Sequence, residues 1–275
     1  MRTPCSCVHR ALWILLAARA CSFSAPAAEG PDHDVRVFGL IERFQWSEHY
    51  AGRKILEDSG PLFGIGAEGS FRLREPLWAE VRAELFLGDV DYDGFVQYRE
   101  SIEPFESTTS YTGVGAEGDL AVRFAIARDL AGSAFAGFGL RTWDRALATE
   151  LADDEIGEHG YEESWTTVYG LLGFLAEWTA SDSLVVFGRV RLSPAIANRV
   201  DVDLSNVGGP SDIELEPDPE VSFTLDVGLN WKRFSGSVFY ETRAFGESPL
   251  DDKYGLVFQP ESEAEIVGVR AGVRF

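Results

Sequence analysis

From about residue 35 onward the chain alternates apolar and polar residues with a period of two. In 77–87 (LWAEVRAELFL), Leu77, Ala79, Val81, Ala83, Leu85 and Leu87 fall on one face, and Glu80, Arg82 and Glu84 on the other. In 111–124, Val114, Ala116, Leu120, Val122 and Phe124 oppose Glu117, Asp119 and Arg123. In 221–231, Phe223, Leu225, Val227, Leu229 and Trp231 oppose Ser222, Thr224, Asp226 and Asn230. Segments 62–73, 167–178 and 266–275 repeat the pattern. A helix gathers residues three or four apart, so this period predicts strands. Ten are expected, at about 35–46, 61–73, 77–88, 110–125, 133–146, 162–178, 184–194, 220–231, 234–245 and 262–275. The first, VRVFGLIERFQW, carries apolar residues on both faces, which keeps eight or twelve strands as alternatives.

A soluble sandwich alternates too, but two regularities separate the cases. Short connections (RLREP, ARDLAGS, TASDS, WKRFS) take turns with long acidic ones at roughly 47–60, 88–109, 147–161, 195–219 and 246–261. Once strand directions are assigned from those turns, Phe71, Phe124, Trp178, Trp231 and Phe275 all lie late on the outward face of strands running toward the short turns. Strict short–long alternation and an aromatic girdle at one rim predict an all-β fold: a single antiparallel transmembrane β-barrel with short periplasmic turns and long extracellular loops. Glu68, Arg82, Glu84, Glu117, Arg141, Arg189, Arg191, Asp226, Glu241 and Arg270 share the inward face. Charges of both signs would ruin a soluble core, but a barrel lumen can pair or hydrate them.

The first 28 residues belong to a different pattern. Arg2 and Arg10 flank a basic start, 11–18 (ALWILLAA) is apolar but too short to span a bilayer, and Ala25 and Ala27 supply an A-x-A site. A signal peptide over 1–28, cleaved after Ala27 or Ala28, leaves 29–275 as the barrel. Lipoprotein processing at Cys21 is the competing reading, and Arg19 just before it argues against that. All three cysteines fall in this segment, so the mature chain has no thiol chemistry. Loss of its three arginines takes the net charge from −21 to −24. So acidic a chain excludes nonspecific nucleic-acid binding, which needs Lys and Arg against phosphate.

The chain resembles Gram-negative outer-membrane β-barrel proteins, and its terminal AGVRF is similar to the aromatic signature they present to the barrel-assembly machinery. The resemblance implies a cell-surface location, a monomer, and contact with outer-membrane lipid and lipopolysaccharide. A narrower resemblance is to omptins, ten-stranded surface proteases with an Asp-x-Asp pair in the second loop and an Asp-x-His pair in the fourth. Here Asp89-Val90-Asp91 and Asp201-Val202-Asp203 occupy those loops, and AGRK (51–54) the first. The fourth-loop histidine is absent, and with it the base that would activate water near neutral pH. The resemblance therefore implies a shared scaffold more than a shared reaction, with Asp89 and Asp91 as the catalytic residues to test.

Three local features bear on chemistry. Counted from Asp89, the stretch DVDYDGFVQYRE (89–100) matches D-x-[DN]-x-[DN]-G-x5-E, which makes Asp89, Asp91, Asp93 and Glu100 calcium candidates. Calcium is the one cofactor the sequence suggests. A strand precedes the stretch and Pro104 follows it, so the competing reading is a hairpin turning at Asp93-Gly94. His49 and His159 fall in long loops without a nucleophile beside them. Trp143, Tyr161 and Trp165 are read as an outer aromatic rim, and Arg145, Glu162 and Glu163 as a ligand site or an ion cluster. The function expected is a non-enzymatic surface protein, structural or adhesive, or a narrow pore. An omptin-like hydrolase at the extracellular mouth and a calcium-stabilised loop are the alternatives.

Overall fold

A computed structural model describes residues 33–98, 101–147, 160–205, 209–210, 213–251, 253 and 257–275. The signal-peptide segment, Glu100 and His159 lie outside the described residues. The strands are β1 (His33–Tyr50), β2 (Arg53–Arg74), β3 (Leu77–Tyr98), β4 (Ser101–Ala127), β5 (Leu130–Leu147), β6 (Tyr161–Ser181), β7 (Leu184–Asp203), β8 (Ile213–Leu215), β9 (Val221–Trp231), β10 (Phe234–Phe245) and β11 (Glu261–Arg274). Sequential antiparallel pairing runs from β1 to β7 and on through β9, β10 and β11. The pairing of β1 with β11, from Arg36↔Arg274 to His49↔Glu261, closes the barrel. Ten strands form the wall, and the three-residue β8 is an addition paired to Val200–Val202 of β7.

The short turns lie where the sequence places them, between Arg74 and Leu77, Ala127 and Leu130, Ser181 and Leu184, and Trp231 and Phe234. Phe71, Phe124, Trp178, Trp231 and Phe275 are all exposed beside them, and Phe234 joins the ring. Above this rim the outward face is apolar on every strand, for example Val81, Leu85 and Leu87 on β3, Phe138 and Leu140 on β5, and Val267 and Val269 on β11. Such a surface is stable only against hydrocarbon. Inside the same band, charges neutralise one another. Arg36 meets Glu68 at 2.9 Å, Arg191 meets Glu117 at 2.7 Å, and Arg141 bridges Glu84 at 2.7 Å and Glu241 at 3.0 Å. The Arg270 guanidinium pairs with Asp226 and lies 3.6 Å from the Phe239 ring centre.

At the far end the strands project beyond the membrane, as spans longer than one crossing require, and they run further than the sequence indicates: β4 has 27 residues, where a tilted crossing needs about 9–11. The expected long loop 47–60 is a hairpin extension of β1 and β2, tightened by Ala51 and Gly52 at φ 51° and 73°. Positive φ at both central residues is the type I′ geometry that matches strand twist. The hairpin expected at Asp93-Gly94 is not there. Both residues lie within β3, opposite Glu106 and Phe105 of β4, and the connection comes only after Tyr98.

Above the membrane band the strands invert their pattern. On β3 the inward residues change from Arg82 and Glu84 to Phe86, Val90 and Tyr92, while the outward ones change from Leu85 and Leu87 to Asp89, Asp91 and Asp93. The reason is the change of solvent. Lipid favours an apolar exterior around a polar lumen, whereas water favours a polar exterior around an apolar core. This inversion also corrects the reading of Trp143 and Trp165 as an outer rim: both point inward and are buried. They share the parity of Arg141 and Arg145, which face the lumen. The apolar residues on both faces of β1 are explained the same way: Val37 and Ile41 meet lipid, while Phe38, Leu40, Phe44 and Trp46 fill the interior. Phe38 lies over Gly66 of β2, where a Cβ would collide with its ring.

Candidate functional site

The far half of the interior is packed by a continuous apolar cluster that includes Phe44, Trp46, Leu62, Phe86, Tyr111, Trp143, Trp165, Val200 and Phe245. At its centre Trp143 and Trp165 stack with their planes 10° apart and centroids 5.3 Å apart. Trp46 and Phe245 each approach the Trp165 ring to 5.1 Å. These rings come from β1, β5, β6 and β10, so they reach across the lumen from opposite walls.

Embedded in this cluster is one arginine with three carboxylates. Arg145 of β5 is 1% exposed. Its Nη1 donates to Glu48 of β1 at 2.7 Å and to Glu163 of β6 at 3.1 Å. Its Nε donates to Asp58 of β2 at 3.0 Å, and its Nη2 lies 2.9 Å from the same oxygen. The acids are held in turn. Asp58 accepts from the Tyr111 hydroxyl at 2.6 Å and from Thr109 at 3.2 Å. The indoles of Trp46 and Trp165 donate to Glu48 and Glu163 at 3.1 and 3.0 Å. Every oxygen facing the arginine is thus fixed by a second donor, and the shell as a whole carries more negative than positive charge.

Burial raises the Glu48 carboxyl above its ordinary range. Arg145 opposes that shift, and the neighbouring Glu163 reinforces it. Burial likewise pushes the Tyr92 phenol up to about 12 and holds the Tyr111 phenol well above 10, each against the pull of Arg145. Because the folded state holds the Glu48 proton more tightly than the unfolded chain, its contribution to stability is complete below about pH 4.5 and is lost as pH rises through the raised folded value. Glu48→Gln keeps an acceptor for Arg145 and Trp46 but removes the charge. It is expected to be more stable than the parent at pH 8, with little difference at pH 4, in urea unfolding of the refolded protein. A variant less stable than the parent at pH 8 would show that the Glu48–Arg145 bond outweighs desolvation.

The residues singled out from the sequence lie elsewhere. Asp89, Asp91 and Asp93 are exposed on the outward face of β3. Asp89 accepts from Ser110 at 2.6 Å, and Asp93 stands in register with Glu57 and Glu106. As i, i+2 neighbours on a strand they are roughly 7 Å apart in a line, not wrapped around one point. Among the described residues no group of three or more His, Cys, Asp or Glu is placed to hold a metal ion. Asp201 and Asp203 face outward on β7, where Arg199 chelates Asp201 at 2.7–3.1 Å. The structure does not bring the two Asp-x-Asp pairs together. Between them the inward residues are Val90 and Tyr92 on β3, and Val200 and Val202 on β7, all buried. Of the third-loop cluster, Arg145 and Glu163 do pair, Tyr161 packs on the apolar cluster, and Glu162 faces outward. Glu48 and Asp58 both fall in the stretch 47–60 that the sequence presents as the first loop, which hides their inward direction. Their parity with Trp46 and Leu62 was the available signal.

No family model and no curated protein matches the chain. Among solved structures it is similar to the outer membrane protease OmpT from Escherichia coli, with a TM-score of 0.64 and 10% identity over 92% of this chain and 99% of that one. The attachment invasion locus protein Ail of Yersinia pestis aligns with a TM-score of 0.35 and 10% identity over 89% of this chain and 100% of that one. The translocator domain of the autotransporter NalP from Neisseria meningitidis aligns at 0.38 and 12% identity over 88% of each chain. At this identity, the OmpT likeness shows a shared barrel fold.

Proposed function

We propose that the protein is a non-enzymatic surface barrel of the Gram-negative outer membrane, sealed across its lumen and working through its exterior in a structural or adhesive role. The observation that carries this reading is the far half of the barrel, filled by stacked Trp143 and Trp165 with Trp46 and Phe245, and acidic on its outside. A passage for solute would have to displace these rings. The inverted patterning supports a tall barrel that raises a carboxylate-rich surface above the lipid. The lipopolysaccharide and lipid contacts, the monomeric state, the cleaved signal over 1–28, delivery by the barrel-assembly machinery and the lack of nucleic-acid partners belong to the same proposal.

The fold likeness to OmpT is the observation that favours a second reading, a hydrolase, with Asp89 and Asp91 as the residues to substitute. The two readings separate in one pair of assays on refolded protein. Reconstituted in a planar bilayer, the parent chain is expected to give no discrete conductance steps, and in detergent to cleave no peptide from a mixed library. Steps in the parent chain would replace the sealed barrel by a pore. Cleavage that disappears in Asp89→Ala would replace it by the hydrolase.

A further inference from the structure

Ten seams join the strands of the wall, and they differ in what can fix their register. Six are closed by two-residue connections, at 51–52, 75–76, 99–100, 128–129, 182–183 and 232–233. Four are not. The β5–β6, β7–β9 and β10–β11 seams are joined through 148–160, 204–220 and 246–260, and β11 meets β1 from the opposite end of the chain. Period-two patterning does not settle these four. It forbids a slip of one residue, which exchanges the lipid and lumen faces, but a slip of two keeps every side chain on its own face.

Each of the three long-linked seams carries an aromatic ring seated on a glycine directly across the ladder. Phe135 faces Gly173 and Tyr169 faces Gly139 between β5 and β6, Phe187 faces Gly228 between β7 and β9, and Phe239 faces Gly268 between β10 and β11. All four rings are buried in the lumen. A Cβ on any of the four glycines would come within 3.0 Å of the facing ring, so a residue with a side chain does not fit there. A slip of two puts such a residue in place of the glycine: Asp226 or Asn230 against Phe187, and Ile266 or Arg270 against Phe239. The same contact recurs as Phe38 on Gly66 and Phe86 on Gly113, in the β1–β2 and β3–β4 seams, whose turns stand far above the membrane.

The closing seam has an ion pair instead. Arg274 Nε and Nη2 donate to the two oxygens of Asp34 at 3.1 and 2.9 Å, and the Phe275 N–H donates to the Val35 carbonyl at 2.9 Å. A two-pronged contact of this kind is directional. Arg36 stands opposite Arg274, so a slip of two in one direction would bring Arg36 to the place of Asp34 and set two guanidinium groups against each other. We propose that these contacts set the register of the barrel during assembly: ring on glycine at the three seams without a tight turn, and Asp34–Arg274 at closure. The inference goes beyond the surface role and does not depend on it.

Residues 29–275 contain no cysteine, so introduced pairs read register directly. On the lipid face, Val238 with Val269 reports the native register of β10–β11, and Ile41 with Val269 that of the closing seam. Either Val238 or Ile41 paired with Val267 or Ala271 reports a slip of two, since such diagonal neighbours are too far apart to bridge in the native fold. The test refolds the mature chain in detergent under oxidising conditions and reads cross-links by mass spectrometry of proteolytic fragments. The parent is expected to give native cross-links almost alone. Phe239→Ala is expected to raise the slipped-to-native ratio at β10–β11 about tenfold, and Arg274→Gln to do the same at the closing seam, as when one preferred contact separates two registers. Gly268→Ala is a second route to the β10–β11 seam. Gly188→Ala, where a Cβ meets nothing within 4 Å, is the control. Ratios no higher than in that control would overturn the inference even if the variants are less stable, because packing alone would then account for the contacts.

Discussion

Arg145→Met is expected to lower the stability of the folded barrel by about 3–5 kcal/mol at pH 8 and by much less at pH 4. The size follows from what remains. Glu48, Asp58 and Glu163 are 6%, 0% and 4% exposed, and without the guanidinium they would face one another in an apolar cluster. Buried beside one another without a cation, they would be stabilised by protonation, which favours the folded state at low pH. That stability would be lost as pH rose beyond about 4.5. Urea unfolding followed by tryptophan fluorescence reads this directly, because Trp46 and Trp165 hydrogen-bond to the acids concerned. Arg199→Met is the control. Arg199 also meets two carboxylates, Asp201 and Glu214, but its side chain is about half exposed and solvent screens the pairs, so its loss is expected to leave the urea midpoint close to the parent's. A pH-independent loss in Arg145→Met would mean that lost packing, not uncompensated charge, is the cause.

Trp165→Ala is expected to cost about 3–5 kcal/mol, not additive with Arg145→Met because both residues donate to Glu163. Trp165 is fully buried, stacks on Trp143 and touches Trp46 and Phe245. Its loss would open a void in this packed ring layer and remove the indole donor to Glu163. The rings come from four different strands, whose wall hydrogen bonds limit how far they can close the gap. Near-UV circular dichroism should lose the signal of the stacked indoles, and the urea midpoint should fall. A cost below about 1 kcal/mol would show that the far half collapses onto the vacancy, and that the layer is not what seals the barrel.

The membrane-embedded half was legible residue by residue. Its short turns at 75–76, 128–129, 182–183 and 232–233 stand where polar residues interrupt the alternation, and the aromatics that precede them mark the rim. The far half was not. A reading in which apolar means outward fails where Leu87 gives way to Asp89, because the outward face there leaves lipid for water. For that reason the strand extensions looked like acidic loops, Trp143 and Trp165 looked like a rim, and Asp93-Gly94 looked like a turn. The charged cluster was half visible. Arg145 and Glu163 are close in sequence, but Glu48 and Asp58 reach them only through pairing round the barrel.

By itself the sequence determined an even strand number near ten, the directions, the lipid-facing surface and the polar lumen, while closure of β1 on β11 fixed the number at ten. Each depends on a period-two pattern and local turns, which are properties of neighbouring residues. Only the tertiary structure decided that Trp46, Trp143, Trp165 and Phe245 pack together inside the barrel, that one arginine holds three distant acids, and that Asp89 and Asp91 face away from Asp201 and Asp203. Those outcomes depend on register between strands and on closure of the sheet. The tight turns and the alternation set register between hairpin neighbours, but the pairing of β1 with β11 that closes the sheet, and so which side chains meet across the lumen, is set by no local feature of the chain.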